Sequence, residues 1–170
     1  NGVFVGTKGV GRYAAAYNVT GNNVTWNELN MSAIGPSATF LDVEIFGATA
    51  YIVGEDRSLA SPLGYLLTST LSGTTWSALT VVATVPNCMV ATDPDIVEPI
   101  LTEVEVDPSG LVWIGGECGR VWSWTSAGGL LEHKTSTDST VRGMSFYGAS
   151  AGYITGQRSN RTQQAIVEIH

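Results

Sequence analysis

The densest group of side chains able to do chemistry is acidic. Asp93, Asp95 and Glu98 fall within Thr92-Asp93-Pro94-Asp95-Ile96-Val97-Glu98, a stretch of loop composition. Two carboxylates about 5–10 Å apart can split a glycosidic bond, one as acid and the other as base or nucleophile. Such oxygens can also surround calcium, although the spacing matches no established calcium loop. The third reading is a solvated acidic loop without a ligand, which is the default, and spacing alone leaves all three open. Cys88 and Cys118 form no C-x-x-C pair, and His133 and His170 are not spaced with them as zinc ligands. No catalytic residue or metal site is therefore assigned, and calcium is the sole cofactor the acids suggest.

The chain of 170 residues is long enough to bury a core. Charged residues make up only 14%, with lysine at Lys8 and Lys134 alone, against about 25% in ordinary soluble domains. Ser, Thr, Gly and Val fill the difference, as in all-β domains with polar turns. A net charge of −7 argues against nucleic acid and anionic membrane as partners. No stretch approaches the ~20 apolar residues of a membrane-spanning helix. The first residue is Asn1 rather than Met, which suggests a removed leader or a longer polypeptide.

The elements that position these side chains repeat. An aromatic–aliphatic–glycine core recurs as V-F-V-G ending at Gly6, Y-I-V-G at Gly54, V-W-I-G at Gly115 and Y-I-T-G at Gly156. A spacing of roughly 40–60 residues, with several short strands in each unit, predicts an all-β fold of about four β-propeller blades. Their approximate limits are 1–34, 35–82, 100–137 and 138–170, with an inserted loop over 83–99. Leu41 to Phe46 alternates apolar and acidic residues like a half-buried strand. Ala50–Gly54 and Tyr65–Ser69 follow as strands, and Thr75–Leu79 is the expected outer strand. Glu103–Val106, Leu111–Ile114, Arg120–Trp124 and Leu130–His133 repeat the plan. The end units supply three strands each, so fourteen are expected, in a small closed propeller or part of a larger one. Tyr13–Tyr17, despite its alanines, reads as a strand because it is short and flanked by turns.

Ser69-Thr70-Leu71-Ser72-Gly73-Thr74-Thr75-Trp76 resembles the Asp-box, S-x-D-x-G-x-T-W, of sialidase-type propellers. Ser69, Gly73, Thr75 and Trp76 match, while Leu71 stands at the Asp position. The blades are also similar to those of photosystem II assembly-factor-like propellers, the match being good from about Leu41 to Leu79. In these families the box closes a turn within a blade, so the resemblance implies a structural role and no catalysis. Sialidases also surround their substrate with three arginines. Here Arg12, Arg57, Arg120, Arg142, Arg158 and Arg161 include no copy of the family's first-blade arginine motif.

Blade topology puts the hairpin between the second and third strands on the same side as the crossing to the next blade. Cys118 lies in such a hairpin and Cys88 in the preceding crossing, so a disulfide between them is geometrically sound. The same side nominates a binding face of Asp56, Arg57, Asp93, Asp95, Glu117, Arg120 and Arg158, with Glu55 beside them, since binding loops cluster on one side of a rigid scaffold. Ordinary solvated charge is the alternative. Trp113, Trp122 and Trp124 suggest either a sugar-stacking platform or packing between blades. The second is favoured because Trp122 and Trp124 share a strand face. Asn18, Asn23, Asn30 and Asn160 head glycosylation sequons.

Together these features predict an exported, extracellular or surface module without catalysis, acting as a building block or binding glycans or proteins. The alternatives are a piece of a propeller glycoside hydrolase and an assembly factor of a photosynthetic complex. Incomplete end blades leave sheet edges that folded proteins normally cover, so the expected partners are other chains or further blades.

Overall fold

The computed structural model describes residues 1–8, 11–88, 99–135, 139–149, 151–157 and 164–169. It is all-β, with four antiparallel sheets following one another along the chain. One of the sheets curls into half a barrel. The first sheet joins β1 (Gly2–Lys8), β2 (Gly11–Thr20) and β3 (Asn23–Glu28) in that order. The second joins β4 (Thr39–Phe46), β5 (Thr49–Asp56), β6 (Leu63–Ser72) and β7 (Thr75–Trp76), with β8 (Thr80–Pro86) also on β6. The third comprises β9 (Leu101–Val106), β10 (Val112–Gly116), β11 (Arg120–Thr125) and β12 (Gly129–Lys134). The fourth comprises β13 (Thr140–Gly148), β14 (Ala151–Gln157) and β15 (Gln164–Ile169). Tyr13–Tyr17 lies inside β2, as its flanking turns predict.

Period-two alternation gives each inner sheet two apolar faces, and three buried clusters use them. Val3, Ala14 and Ala16 of the first sheet meet Ile52 and Leu67 of the second. Val53 and Leu66 on the second sheet's other face meet Val104, Val112, Ile114 and Trp122 of the third. Trp113 and Val121 of the third meet Val141 and Ile154 of the fourth. Each sheet thus packs on its successor, and the core is three layers between four sheets.

A shared irregularity ties the second, third and fourth sheets together. In each, the first strand carries one extra residue near its start: Leu41 between Phe40 and Asp42, Thr102 between Leu101 and Glu103, and Arg142 between Val141 and Gly143. The residue just before the bulge pairs with a glycine of the second strand, Gly54, Gly116 and Gly156 respectively. A side chain at Gly54 would run into the Thr39 carbonyl, and one at Gly116 into the Ile100 carbonyl. At these two glycines the bend of the bulge brings the strands too close for a Cβ, while at Gly156 the nearest atoms, the Ser139 Cβ and the Thr140 carbonyl, would lie 3.1 Å away. The third copy of the repeat is therefore anchored at Gly116, one residue beyond the expected Gly115. Two adjacent glycines hide that shift in the sequence.

The outer edge of the second sheet also differs from expectation. Thr75–Leu79 is not a full strand. Only Thr75 and Trp76 pair, with Ser72 and Leu71, and the fourth ladder is made by β8 against Leu63–Thr68. Ser77 interrupts the ladder. Its Oγ accepts the Thr70 N–H at 3.0 Å, and the Ser69 hydroxyl donates to its carbonyl at 2.8 Å. The chain therefore jogs before resuming at Thr80. Among the described residues the strands number fifteen rather than fourteen, and β8 runs to Pro86, inside the span 83–99 expected to be loop.

Candidate functional site

The disulfide joins Cys88, just past β8, to Cys118, in the short 3-10 turn Glu117–Gly119 between β10 and β11. Cys118 is held at φ 58°, a left-handed conformation unusual for a residue with a side chain. The cross-link ties the exit of the second sheet to a hairpin of the third.

Around this link lie three of the charged residues named from the sequence, Arg57, Glu117 and Arg120, together with Glu55. Arg57 Nε sits 3.0 Å from Glu55 Oε1, and its Nη2 is 3.7 Å from Glu117 Oε2. The other oxygen of Glu55 accepts the Ile100 N–H at 2.7 Å, and Glu117 accepts the Cys88 N–H. Burial pushes the Glu117 carboxyl above its usual range, against the Cys88 amide and the Arg57 charge. Arg120 donates to the Pro86 carbonyl at 3.0 Å, pairs with Glu132 at 3.1 Å and lies 4.6 Å over the Trp122 ring. Asp56 does not join them. Its side chain is buried and accepts the Ser58 N–H and hydroxyl at 2.9 and 2.6 Å. Asp93, Asp95 and Arg158 lie outside the described residues, as do Glu98 and Asn160.

A second charged cluster was not singled out by the sequence. Asp42 and Glu44 on β4 and Glu103 and Glu105 on β9 interact across the junction of the second and third sheets, with Arg142 of β13 near Glu103. Asp42 Oδ1 accepts the Val43 N–H at 2.8 Å, and its Oδ2 accepts the Val104 N–H at 2.9 Å. Glu103 is pushed up to about 7, first by burial and then by the charge of Asp42, with which it shares a hydrogen bond. Glu44 is raised by burial and by Asp42, and Glu105 by burial and by Glu44. The available signal was the alignment of D-V-E-I with E-V-E-V at the same distance from the bulge, Asp42 above Glu103 and Glu44 above Glu105. No group of three or more acids, histidines or cysteines among the described residues is arranged to hold a metal ion.

The tryptophans of the third sheet serve packing. Trp122 is buried in the junction with the second sheet, and Trp124 meets Tyr51 edge-on at 6.2 Å. Trp113 faces the other way, stacks on Phe146 at 5.0 Å and donates to Asp107 at 3.2 Å. In the segment resembling an Asp-box, Gly73 takes φ 62° at the β6–β7 turn and Trp76 is buried against the first sheet. Asn23 and Asn30 are exposed, while the Asn18 amide donates to the Thr74 carbonyl at 3.2 Å. A glycan on Asn18 would give up that contact. No helix among the described residues is long and apolar enough to cross a membrane.

Comparison with known proteins gives no match: no family model, no curated protein and no solved structure is similar to this chain.

Proposed function

We propose that the four sheets are propeller-type blades and that the chain is a non-catalytic, exported surface module presenting a rigid loop platform to protein or glycan partners. The loop end carries this reading. Glu55, Arg57 and Glu117 spend their charges on one another and on backbone amides of the adjoining sheet, beside the Cys88–Cys118 link. Charges committed in this way hold loops in place. A disulfide also suits an oxidising compartment, which favours export. The bulge and glycine common to three sheets support repeated blades.

The hydrolase alternative gains little from the acids described. Asp42 and Glu103 are hydrogen-bonded to each other, whereas glycoside hydrolysis needs carboxyls separated by about 5–10 Å with sugar between them. The deciding assay is turnover of sialyl and β-glucan substrates by the purified chain. No turnover supports the module. Turnover that disappears in Asp93→Asn or Asp95→Asn replaces it with an enzyme.

A further inference from the structure

The sequons of the first sheet and its exit loop differ once the side chains around them are placed. We infer, resting on the export reading above, that Asn23 and Asn30 carry N-linked oligosaccharide and that Asn18 stays bare.

Period-two alternation puts Asn18 and Thr20 on the face of β2 that carries Ala14 and Ala16, which pack against the second sheet. Across the hairpin Thr25 pairs with Asn18 and Asn23 with Thr20, so both sequons lie on that one face. Their asparagines nevertheless meet different surroundings. The Asn18 Nδ2 donates to the Thr74 carbonyl at 3.2 Å, and its Oδ1 is buried. A sugar on that nitrogen would have to stand between β2 and the β6–β7 turn. Asn23 lies at the tip of the hairpin and is exposed, and its side chain holds no hydrogen bond among the described residues. The neighbour on this face is the second sheet, so the exposure of Asn23 does not depend on what covers the other face of the first.

Asn30, beyond the end of β3, is open for a different reason. Its backbone carbonyl accepts the Leu79 N–H at 3.0 Å, and its Oδ1 accepts the Ser32 N–H at 3.0 Å. The second bond is an Asx turn that spans the sequon Asn30-Met31-Ser32. Arg12 steadies the middle residue by donating to the Met31 carbonyl at 3.0 Å. The side-chain oxygen is therefore committed, while the amide nitrogen donates to nothing among the described residues. Asn30 and Ser32 are both exposed, so a glycan on Nδ2 leaves every bond of the turn in place.

The reaction is transfer from a polyprenyl-diphosphate oligosaccharide, the donor available in a secretory route. The asparagine Nδ2 bonds to C1 of the first sugar and gives up one proton. The C1–O bond to the diphosphate breaks, and its electron pair leaves with the lipid diphosphate. The two sites also suit the loop platform. The β6 strand begins beside Pro86, near Cys88, and ends at the turn that Asn18 touches. A glycan at Asn23 thus stands at the end of the sheets away from the Cys88–Cys118 link, leaving Arg57, Glu117 and Arg120 uncovered.

Secretion of the chain from cultured eukaryotic cells behind a cleavable leader tests this. Peptide N-glycosidase in heavy-oxygen water leaves a labelled aspartate at each occupied site, which peptide mapping by mass spectrometry locates. Asn160 lies outside the described residues, so Asn160→Gln is carried throughout. Asn23 and Asn30 should be labelled and Asn18 unlabelled. Asn23→Gln and Asn30→Gln should each remove one glycan step on a denaturing gel, and Asn18→Gln none. Asn18 should also stay bare in Asn23→Gln, because its contact with Thr74 remains. If an asparagine variant fails to leave the cell, Thr25→Ala or Ser32→Ala spoils the same sequon with the asparagine intact. A bare Asn23 or Asn30 overturns the proposal, as does a glycan on Asn18 of the secreted chain with native near-ultraviolet circular dichroism. The leader forces entry into the secretory route, so these results bear on the sites and not on export. Export fails separately, if the native protein is found inside the cell with Cys88 and Cys118 as free thiols.

Discussion

Asp42 Oδ2 accepts the backbone N–H of Val104 at 2.9 Å, so a side chain of the second sheet occupies a bonding position on the edge strand of the third. An edge strand is a row of unpaired donors and acceptors, and this carboxylate satisfies one of them while joining two sheets. The cost falls on its neighbours. Glu103, beside that contact, has a half-buried carboxyl that must share space with a committed negative charge.

Stability should therefore fall as pH rises through the neutral range. In the unfolded chain Glu103 ionises near 4.5, and in the folded chain near 7. Between these values the unfolded state has released a proton that the native state still holds, so raising the pH favours unfolding. Below 4.5 both states are protonated and the contribution is fully present; above about 7 it is gone. Glu44, Glu105 and Glu117 are raised too and act in the same direction. Calorimetry should give a higher unfolding midpoint at about pH 5 than at about pH 8. Glu103→Gln should flatten that slope. A midpoint that climbs with pH would contradict the arrangement of acids described.

Asp107 is fully buried and accepts the Ser109 N–H at 2.8 Å, the Ser109 hydroxyl, the Leu111 N–H at 3.1 Å and the Trp113 indole N–H at 3.2 Å. It fixes the β9–β10 turn and holds the ring that packs against the fourth sheet. Asp107→Ala should cost about 2–4 kcal/mol, because it strands a buried indole donor as well as opening the turn. Ser109→Ala, which removes one hydroxyl at an exposed position, should cost about 0.5–1.5 kcal/mol. Urea unfolding of the two variants would measure the difference, and equal losses would show that Trp113 does not depend on Asp107.

Most of the strands were legible because alternation along a strand and glycine or Asp-Pro-Ser-Gly turns are local signals. Leu41–Phe46 and Glu103–Val106 are examples, and both lie in the strands expected. Relations between sheets were not legible. Nothing in Leu41–Phe46 alone says that its acids meet those of Glu103–Val106, since that depends on how two sheets pack. The outer strand was misplaced because Thr75-Trp76 carries a strand-like pair, while the ladder is broken by the Ser77 hydroxyl, which accepts the Thr70 N–H seven residues back, and by the Ser69 hydroxyl, which donates to the Ser77 carbonyl. Of the loop-end residues, Arg57, Glu117 and Arg120 lie around the disulfide, yet Asp56 turns inward. A charged residue at the end of a strand looks the same in sequence whether it caps a turn or faces solvent.

Reduction of Cys88–Cys118 should destabilise the protein without unfolding it outright. The link closes 30 residues of chain, worth about 3 kcal/mol through the entropy of the unfolded state. For a chain of this size that is about 6–12 °C in the thermal midpoint. Cys88→Ser with Cys118→Ser should match the reduced wild type. Hydrogen exchange should quicken chiefly at Arg120–Trp124 and Thr80–Pro86, the strands whose ends the link joins. An unchanged midpoint on reduction would mean that the ion pairs of Arg57 and Arg120 hold the loop end without it.

The glycines opposite the bulges give the most direct test of the shared register. At Gly54 a Cβ would meet the Thr39 carbonyl, and at Gly116 the Ile100 carbonyl, in both cases backbone that cannot swing aside. Gly54→Ala and Gly116→Ala should each cost about 1–3 kcal/mol, the usual penalty for overpacking a well-filled interior. Gly148 is the control. It also lies beside a register shift in a first strand, but a Cβ there would find its nearest neighbour, the Ala151 Cβ, at 3.6 Å. Gly148→Ala should be neutral or stabilising by up to about 1 kcal/mol, because alanine restricts the unfolded chain more than glycine does. Opposite signs at residues of one type in one fold would tie the loss to the bulge. If Gly116→Ala were tolerated and Gly115→Ala alone were damaging, the third sheet's register would have to move by one residue, and its match to the second sheet would go with it.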